Sequence, residues 1–151
     1  MYSYVAGLRR ERTSKTRRKF QIKDFLNIDQ EVVRKLSFIG VKDVDQMLKQ
    51  GKTQDKRHQL AEELDIPEDA ILELAQLSDL TRLGHVKRKL ARLYYASGIH
   101  SPIEVAKYTP EELYEHLKSY IQSSGWNGMI PNLKDLENNI NNSKKLKKII
   151  E

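Results

Sequence analysis

Residues 79–106 decide the fold. They read Asp79-Leu80-Thr81-Arg82-Leu83-Gly84-His85-Val86-Lys87, then Arg88-Lys89-Leu90-Ala91-Arg92-Leu93-Tyr94-Tyr95, then Ala96-Ser97-Gly98-Ile99-His100-Ser101-Pro102-Ile103-Glu104-Val105-Ala106. In the middle stretch Leu90, Ala91 and Tyr94 share one side of a helix, and Arg88, Lys89 and Arg92 share the other. Gly98 stands where that helix ends, because glycine accepts a left-handed backbone, and Ile99 then folds back against it. Ser101-Pro102-Ile103-Glu104 starts the next helix with a hydroxyl cap, a proline at the first helical position and a glutamate at the third. The window is therefore helix, tight turn, helix, glycine stop, capped helix.

The same order recurs upstream. Arg34-Lys35-Leu36-Ser37-Phe38-Ile39-Gly40-Val41-Lys42-Asp43 parallels residues 92–101 at an offset of 58, so that Gly40-Val41 matches Gly98-Ile99. Thr53 matches Thr109 at an offset of 56. Asp43-Val44-Asp45-Gln46 and Thr109-Pro110-Glu111-Glu112 repeat the capping device, and Asp65-Ile66-Pro67-Glu68 starts a further helix. Ala70-Ile71-Leu72-Glu73-Leu74-Ala75-Gln76-Leu77 is apolar on most sides and reads as the central buried helix. Leu113, Leu117, Tyr120 and Ile121 give the helix after Thr109 a one-sided apolar face. Two such units share a core that neither could bury alone. Nothing alternates with period two for long, so the fold is all-α.

Residues 79–106 resemble a helix-hairpin-helix, and with the extension Tyr108-Thr109-Pro110-Glu111-Glu112-Leu113 they are similar to the domain-of-unknown-function family numbered 4332. The resemblance is strong over 65–120 and weaker over 20–64. It implies a duplicated helix-hairpin-helix-like (SAM-like) domain over 20–122, with copies at 20–64 and 65–122. Residues 1–19 then form a basic arm, and 123–151 a loop with a C-terminal helix or tail. It also implies a hairpin, usually Gly-hydrophobic-Gly, whose backbone N–H groups and following helix N-terminus hold a nucleic-acid phosphate without reading sequence. Counting back from Gly98-Ile99, the two hairpin glycines fall on His85 and Lys87 around Val86, and in the first copy on Asn27 and Asp29 around Ile28. A shifted register uses Gly84-His85-Val86 instead. Glycine's loss hinders close backbone approach, and Asp29 would repel a phosphate, so the first copy reads as structural.

Charge points to the same region. The net charge is +6 with a pI near 9.4, but residues 1–23 hold eight Lys and Arg against Glu11 alone. The body is nearly neutral and segregated: residues 24–81 sum to −6 and residues 82–92 to +5. Arg82, Lys87, Arg88, Lys89 and Arg92, with Gly84, His85 and Val86 at the turn, form the expected docking face for a DNA or RNA backbone. Arg9, Arg10, Arg12, Arg17, Arg18 and Lys19 in the arm would wrap or anchor it. About five neutralised phosphates give a log–log salt slope near −4 to −5 on duplex DNA. Alternatively the acidic segment neutralises the patch internally, and the chain is a protein-interaction module, a scaffold or self-associating unit without nucleic-acid binding.

Other chemistry has little support. With no cysteine there is no disulfide or thiolate site. His58, His85, His100 and His116 are scattered without a metal-ligand partner at helical spacing, and His116, between Leu113 and Leu117, reads as packed. No Gly-Lys-Ser/Thr phosphate loop exists. The expectation is a non-enzyme with no metal and no cofactor. No apolar run reaches the length of a membrane span and no secretory signal opens the chain, so a cytoplasmic protein is expected. The arm can alternatively be read as a targeting peptide. Residues 123–132 read as a loop in which Trp126 either plugs the core or anchors a partner. Leu133, Leu136 and Ile140 would face the core from a short helix.

Overall fold

Helix starts follow the side chains that can cap them. The computed structural model describes residues 19–151. Among these there are eight α-helices and no strand, so the chain is all-helical. The helices are α1 (Gln30–Phe38), α2 (Val44–Gln50), α3 (Gln54–Leu64), α4 (Glu68–Leu80), α5 (Arg88–Ala96), α6 (Pro102–Val105), α7 (Pro110–Ser124) and α8 (Leu133–Ser143). Two single 3-10 turns, Ile22–Asp24 and Thr81–Leu83, precede α1 and α5.

The sequence-predicted caps are made. Asp43 Oδ1 accepts from Gln46 N–H at 2.8 Å, while Gln46 Oε1 accepts from Asp43 N–H at 3.1 Å. Thr53, Ser101 and Thr109 each accept from the backbone N–H three residues on. One detail differs at α6: the Glu104 carboxylate takes the His100 N–H, one residue before the cap. The turn into α4 has no side-chain cap, because Pro67 occupies the cap position. Asp65 instead ends α3 in the left-handed region, at φ 53°.

Gly40 and Gly98 end α1 and α5 with φ of +84° and +100°, a conformation that costs an L side chain strain. After each, the chain folds back: Val41 N–H donates to Leu36 O at 3.0 Å, and Ile99 N–H to Tyr94 O at 2.9 Å. Both aliphatic side chains are buried.

α4 packs against α2, α3 and α5, and its buried face carries Ile71, Leu74, Ala75, Leu77 and Leu80. One continuous core runs from Ile22 and Leu36 through α4 to Leu93, Tyr94, Leu113 and Leu117. Burial of each such aliphatic side chain contributes about 1.5–3 kcal/mol. Gly51 lets α2 meet α4 closely; a Cβ there would lie 2.9 Å from Ala75 Cβ.

The C-terminal region departs from expectation in two places. Ser123 and Ser124 belong to α7, which runs on until Gly125 turns it at φ 73°. Leu133 is exposed at the first turn of α8, while Leu136 and Ile140 enter the core. α8 lies against α6 and α7, and residues beyond it return to the first half, where Glu151 N–H donates to Lys52 O at 2.9 Å. Trp126 is half-buried against the core, 6.5 Å from the Tyr120 ring.

Candidate nucleic-acid interface

The hairpin between the Thr81–Leu83 turn and α5 is built on left-handed backbone. His85 has φ 57° and Gly84 φ 78°. Fifty-eight residues earlier, Asn27 has φ 55°. Both expected registers thus begin on a positive-φ residue, Gly84 in the shifted one and His85, like Asn27, in the other. Asn and His are among the few non-glycine residues that tolerate this region. At the second position the requirement is gone: Asp29 has φ −72° and Lys87 φ −120°. The backbone there needs no glycine, so what its absence changes is the approach to a ligand.

The two helix starts differ electrostatically. Asp29 caps α1, its side chain accepting from Glu31 N–H at 2.9 Å. An anion is thus already in place. α5 begins at Lys87, which offers no side-chain cap, and the first intrahelical bond runs from Ala91 N–H to Lys87 O at 2.9 Å. Its early N–H groups have no side-chain cap, and Lys87, Arg88 and Lys89 beside them are all exposed. Three cations crowding a helix N-terminus are mildly unfavourable, by about 0.3–1 kcal/mol each, unless an anion joins them.

Two residues of the expected face are elsewhere. Arg92 is buried. Its Nε donates to Leu26 O at 2.8 Å, and its Nη2 to Asn27 O at 3.2 Å and to Glu73 Oε1 at 2.8 Å. α5 has two buried sides, one against the core and one, through Arg92, against the turn at residues 26–27. The flank carrying Arg92 is therefore occupied by protein, and this guanidinium cannot reach a phosphate. Arg82 is also engaged: Nη1 donates to the buried Asp79 carboxylate at 2.7 Å and Nη2 to Lys147 O at 3.0 Å. Burial pushes the Asp79 carboxyl up from its ordinary value, and the Arg82 bond opposes this. Both are ion pairs with the acidic segment or its end, as the internal-neutralisation alternative describes.

The remaining expected residues divide. Val86 is in the core, whereas Gly84 and His85 are exposed. Lys19 is exposed and lies 3.5 Å from Asp45. Arg9, Arg10, Arg12, Arg17 and Arg18 lie outside the described residues. His116 packs as expected, its Nε2 donating to Ser97 O at 2.9 Å beneath the Tyr108 ring. His58 sits between Glu62 and Glu68, at 3.0 and 3.3 Å. Among the described residues no cluster of three His, Asp or Glu side chains is placed to hold a metal ion, and no helix is long and apolar enough to cross a membrane.

One feature went unread in the sequence. α8 turns Asp135, Asn138, Asn139 and Asn142 to one side and props the hairpin with it: Asn142 Nδ2 donates to Leu83 O at 2.8 Å. Their spacing of i, i+3, i+4 and i+7 is a polar stripe, as regular as the apolar one opposite. Between this stripe and the hairpin runs an open groove of about 500 Å³.

A family model described as Domain of unknown function (DUF4332) matches residues 26–146, and the chain belongs to that family. No curated protein and no solved structure matches the chain.

Proposed function

We propose that this member of the DUF4332 family is a non-catalytic, cytoplasmic nucleic-acid-binding protein that grips the phosphate backbone with little sequence preference. The single observation that carries the proposal is the uncapped start of α5, where exposed Lys87, Arg88 and Lys89 follow the left-handed Gly84-His85 turn. In this reading the chain is a duplicated helix-hairpin-helix-like domain. Its support is the recurrence at an offset of 58 of three features: the left-handed hairpin residue, the glycine stop and the capped short helix. The second hairpin binds and the first is structural, because Asp29 fills the equivalent helix start.

With Arg82 and Arg92 engaged internally, three cations remain at the turn. The hairpin then accounts for about −2.7 of the log–log salt slope on duplex DNA rather than the whole of a five-phosphate slope. Arg9, Arg10, Arg12, Arg17 and Arg18 would add to it as a sequence-tolerant anchor. The test is electrophoretic mobility shift of a labelled duplex by the wild type and by K87E/R88E/K89E. Loss of the shift in a folded variant supports the hairpin; an undiminished shift removes it.

A second reading, self-association or docking of a protein partner, is favoured by one observation. Phe38 at the end of α1 is 76% exposed and is followed by the exposed Ile39. Sedimentation velocity of the wild type and F38S/I39S decides it: a species larger than the monomer that the variant lacks supports association.

A further inference from the structure

The groove between the hairpin and α8 has the chemistry of a site for a flat, edge-polar ligand. Its volume, about 500 Å³, falls within the range of about 300–1,000 Å³ typical of small-molecule sites. Gly84 and His85 form one rim and Leu90 the adjoining wall. Ile130 and Pro131 add apolar surface, with Met129, 93% exposed, at the mouth. Opposite stand Asp135, Asn138 and Asn139.

Asn139 separates this groove from an ordinary surface crease. It is only 5% exposed, and its Nδ2 donates to the Tyr94 hydroxyl at 2.9 Å. Its Oδ1 has no hydrogen-bond partner among the described residues. Nor is that oxygen sealed, since no fully buried side-chain polar atom there lacks a partner. Asn139 is also one of the residues that line the groove. A nearly buried amide with one end held by the protein presents the other, in a fixed orientation, to whatever enters. The Asp135 carboxylate and the Asn138 amide likewise have no side-chain partner among the described residues, so acceptors and donors line one wall while apolar surface lines the other.

We propose that this groove takes a nucleobase, and that the protein prefers unpaired strands. A base has apolar faces for Leu90, Ile130 and Met129 and a donor–acceptor edge for Asn138, Asn139 and Asp135. His85 supplies a ring on which it can stack. The phosphate-binding residues 87–89 immediately precede Leu90, so a strand held by its backbone there delivers a base to the groove. In a duplex the edges are already paired and cannot be read this way. Strand preference rests on the phosphate reading above; base capture does not.

The experiment uses uncharged nucleosides and oligonucleotides in parallel. Millimolar adenosine, guanosine, cytidine and thymidine are titrated into isotope-labelled protein, and amide resonances of residues 84–90 and 129–142 are followed. Anisotropy then compares a labelled single strand with its duplex for the wild type, N138W and N139L. N138W fills the groove from an exposed position and keeps the test informative if N139L, which loses the Tyr94 bond, fails to fold. At least one nucleoside is expected to shift the groove resonances. N138W is expected to abolish that shift and lower the single-strand preference about tenfold, with duplex affinity unchanged. Nucleosides that move no groove resonance, or N138W retaining the preference, would overturn the inference. Nucleoside binding without any oligonucleotide binding supports the groove and sinks the phosphate reading instead.

Discussion

Replacing Arg92 with alanine should cost stability and leave nucleic-acid binding by the folded protein intact. The guanidinium joins three parts of the fold: α5, the turn before α1 through the Leu26 and Asn27 carbonyls, and α4 through Glu73. Its side chain is 7% exposed and that of Glu73 31%. Removing one partner of a buried pair costs about 3–5 kcal/mol, chiefly because the other charge is left stranded. Glu73 is partly solvated and can rehydrate, so the low end, about 3 kcal/mol, is expected. For a chain of this length that lowers the melting temperature by about 6–12 °C. Urea unfolding followed by far-UV circular dichroism gives the free energy, and anisotropy at a temperature where the variant is folded gives the affinity. E73L/R92M should recover much of the loss, because an apolar pair replaces the ion pair without a stranded charge. A loss below about 1 kcal/mol, or unchanged stability with lost DNA affinity, would return Arg92 to the docking face.

Three further outcomes follow from the packing and ionisation of single groups. Gly51→Ala should destabilise by about 1–3 kcal/mol in urea, since the new Cβ meets Ala75 Cβ at 2.9 Å, and G51A/A75G should restore part of it. The Glu68 hydrogen bond, then the Glu62 charge, hold the His58 pKa above its ordinary value, so their stabilisation is complete below about pH 6.5 and fades as pH rises through the raised value. Chemical denaturation of wild type and His58→Gln between pH 5 and 8 should show wild type losing its advantage toward the alkaline end; a constant difference would contradict the pairing. Burial lifts the Tyr94 phenol to about 12, so stability should fall above about pH 10, where the unfolded phenol ionises first, and Tyr94→Phe should reduce that fall.

Local structure was legible where a single residue type suffices. Asp43 with Gln46, Ser101 with Pro102, and Thr109 with Pro110 each announce a helix start, because few side chains can satisfy early N–H groups. Gly40 and Gly98 announce the stops for an equally local reason. Long-range pairing was not legible. The period of α5 places Arg92 opposite Leu90 and Tyr94, but it carries no information that the turn at residues 26–27 covers that flank. Nothing near Arg82 in sequence points to the Lys147 carbonyl, which is 65 residues away. α7 ran past its expected end because Gly125, rather than Ser123, supplies the left-handed turn. The groove was hidden for a different reason. Its wall is made of asparagines, which read as a low-propensity helix, although Asp135, Asn138, Asn139 and Asn142 keep a strict helical spacing.

The exposed cations at the start of α5 are proposed to hold phosphate. That contact is tested most directly by the salt dependence of duplex DNA affinity, measured by anisotropy from about 50 to 200 mM salt for wild type and K87Q/R88Q/K89Q. Neutral replacements leave the backbone turn and every other cation in place, so contributions from the rest of the chain cancel in the difference. The wild-type log–log slope should be steeper by about 2.7, the release expected for three phosphate contacts. Equal slopes and equal affinities in the two proteins would contradict it.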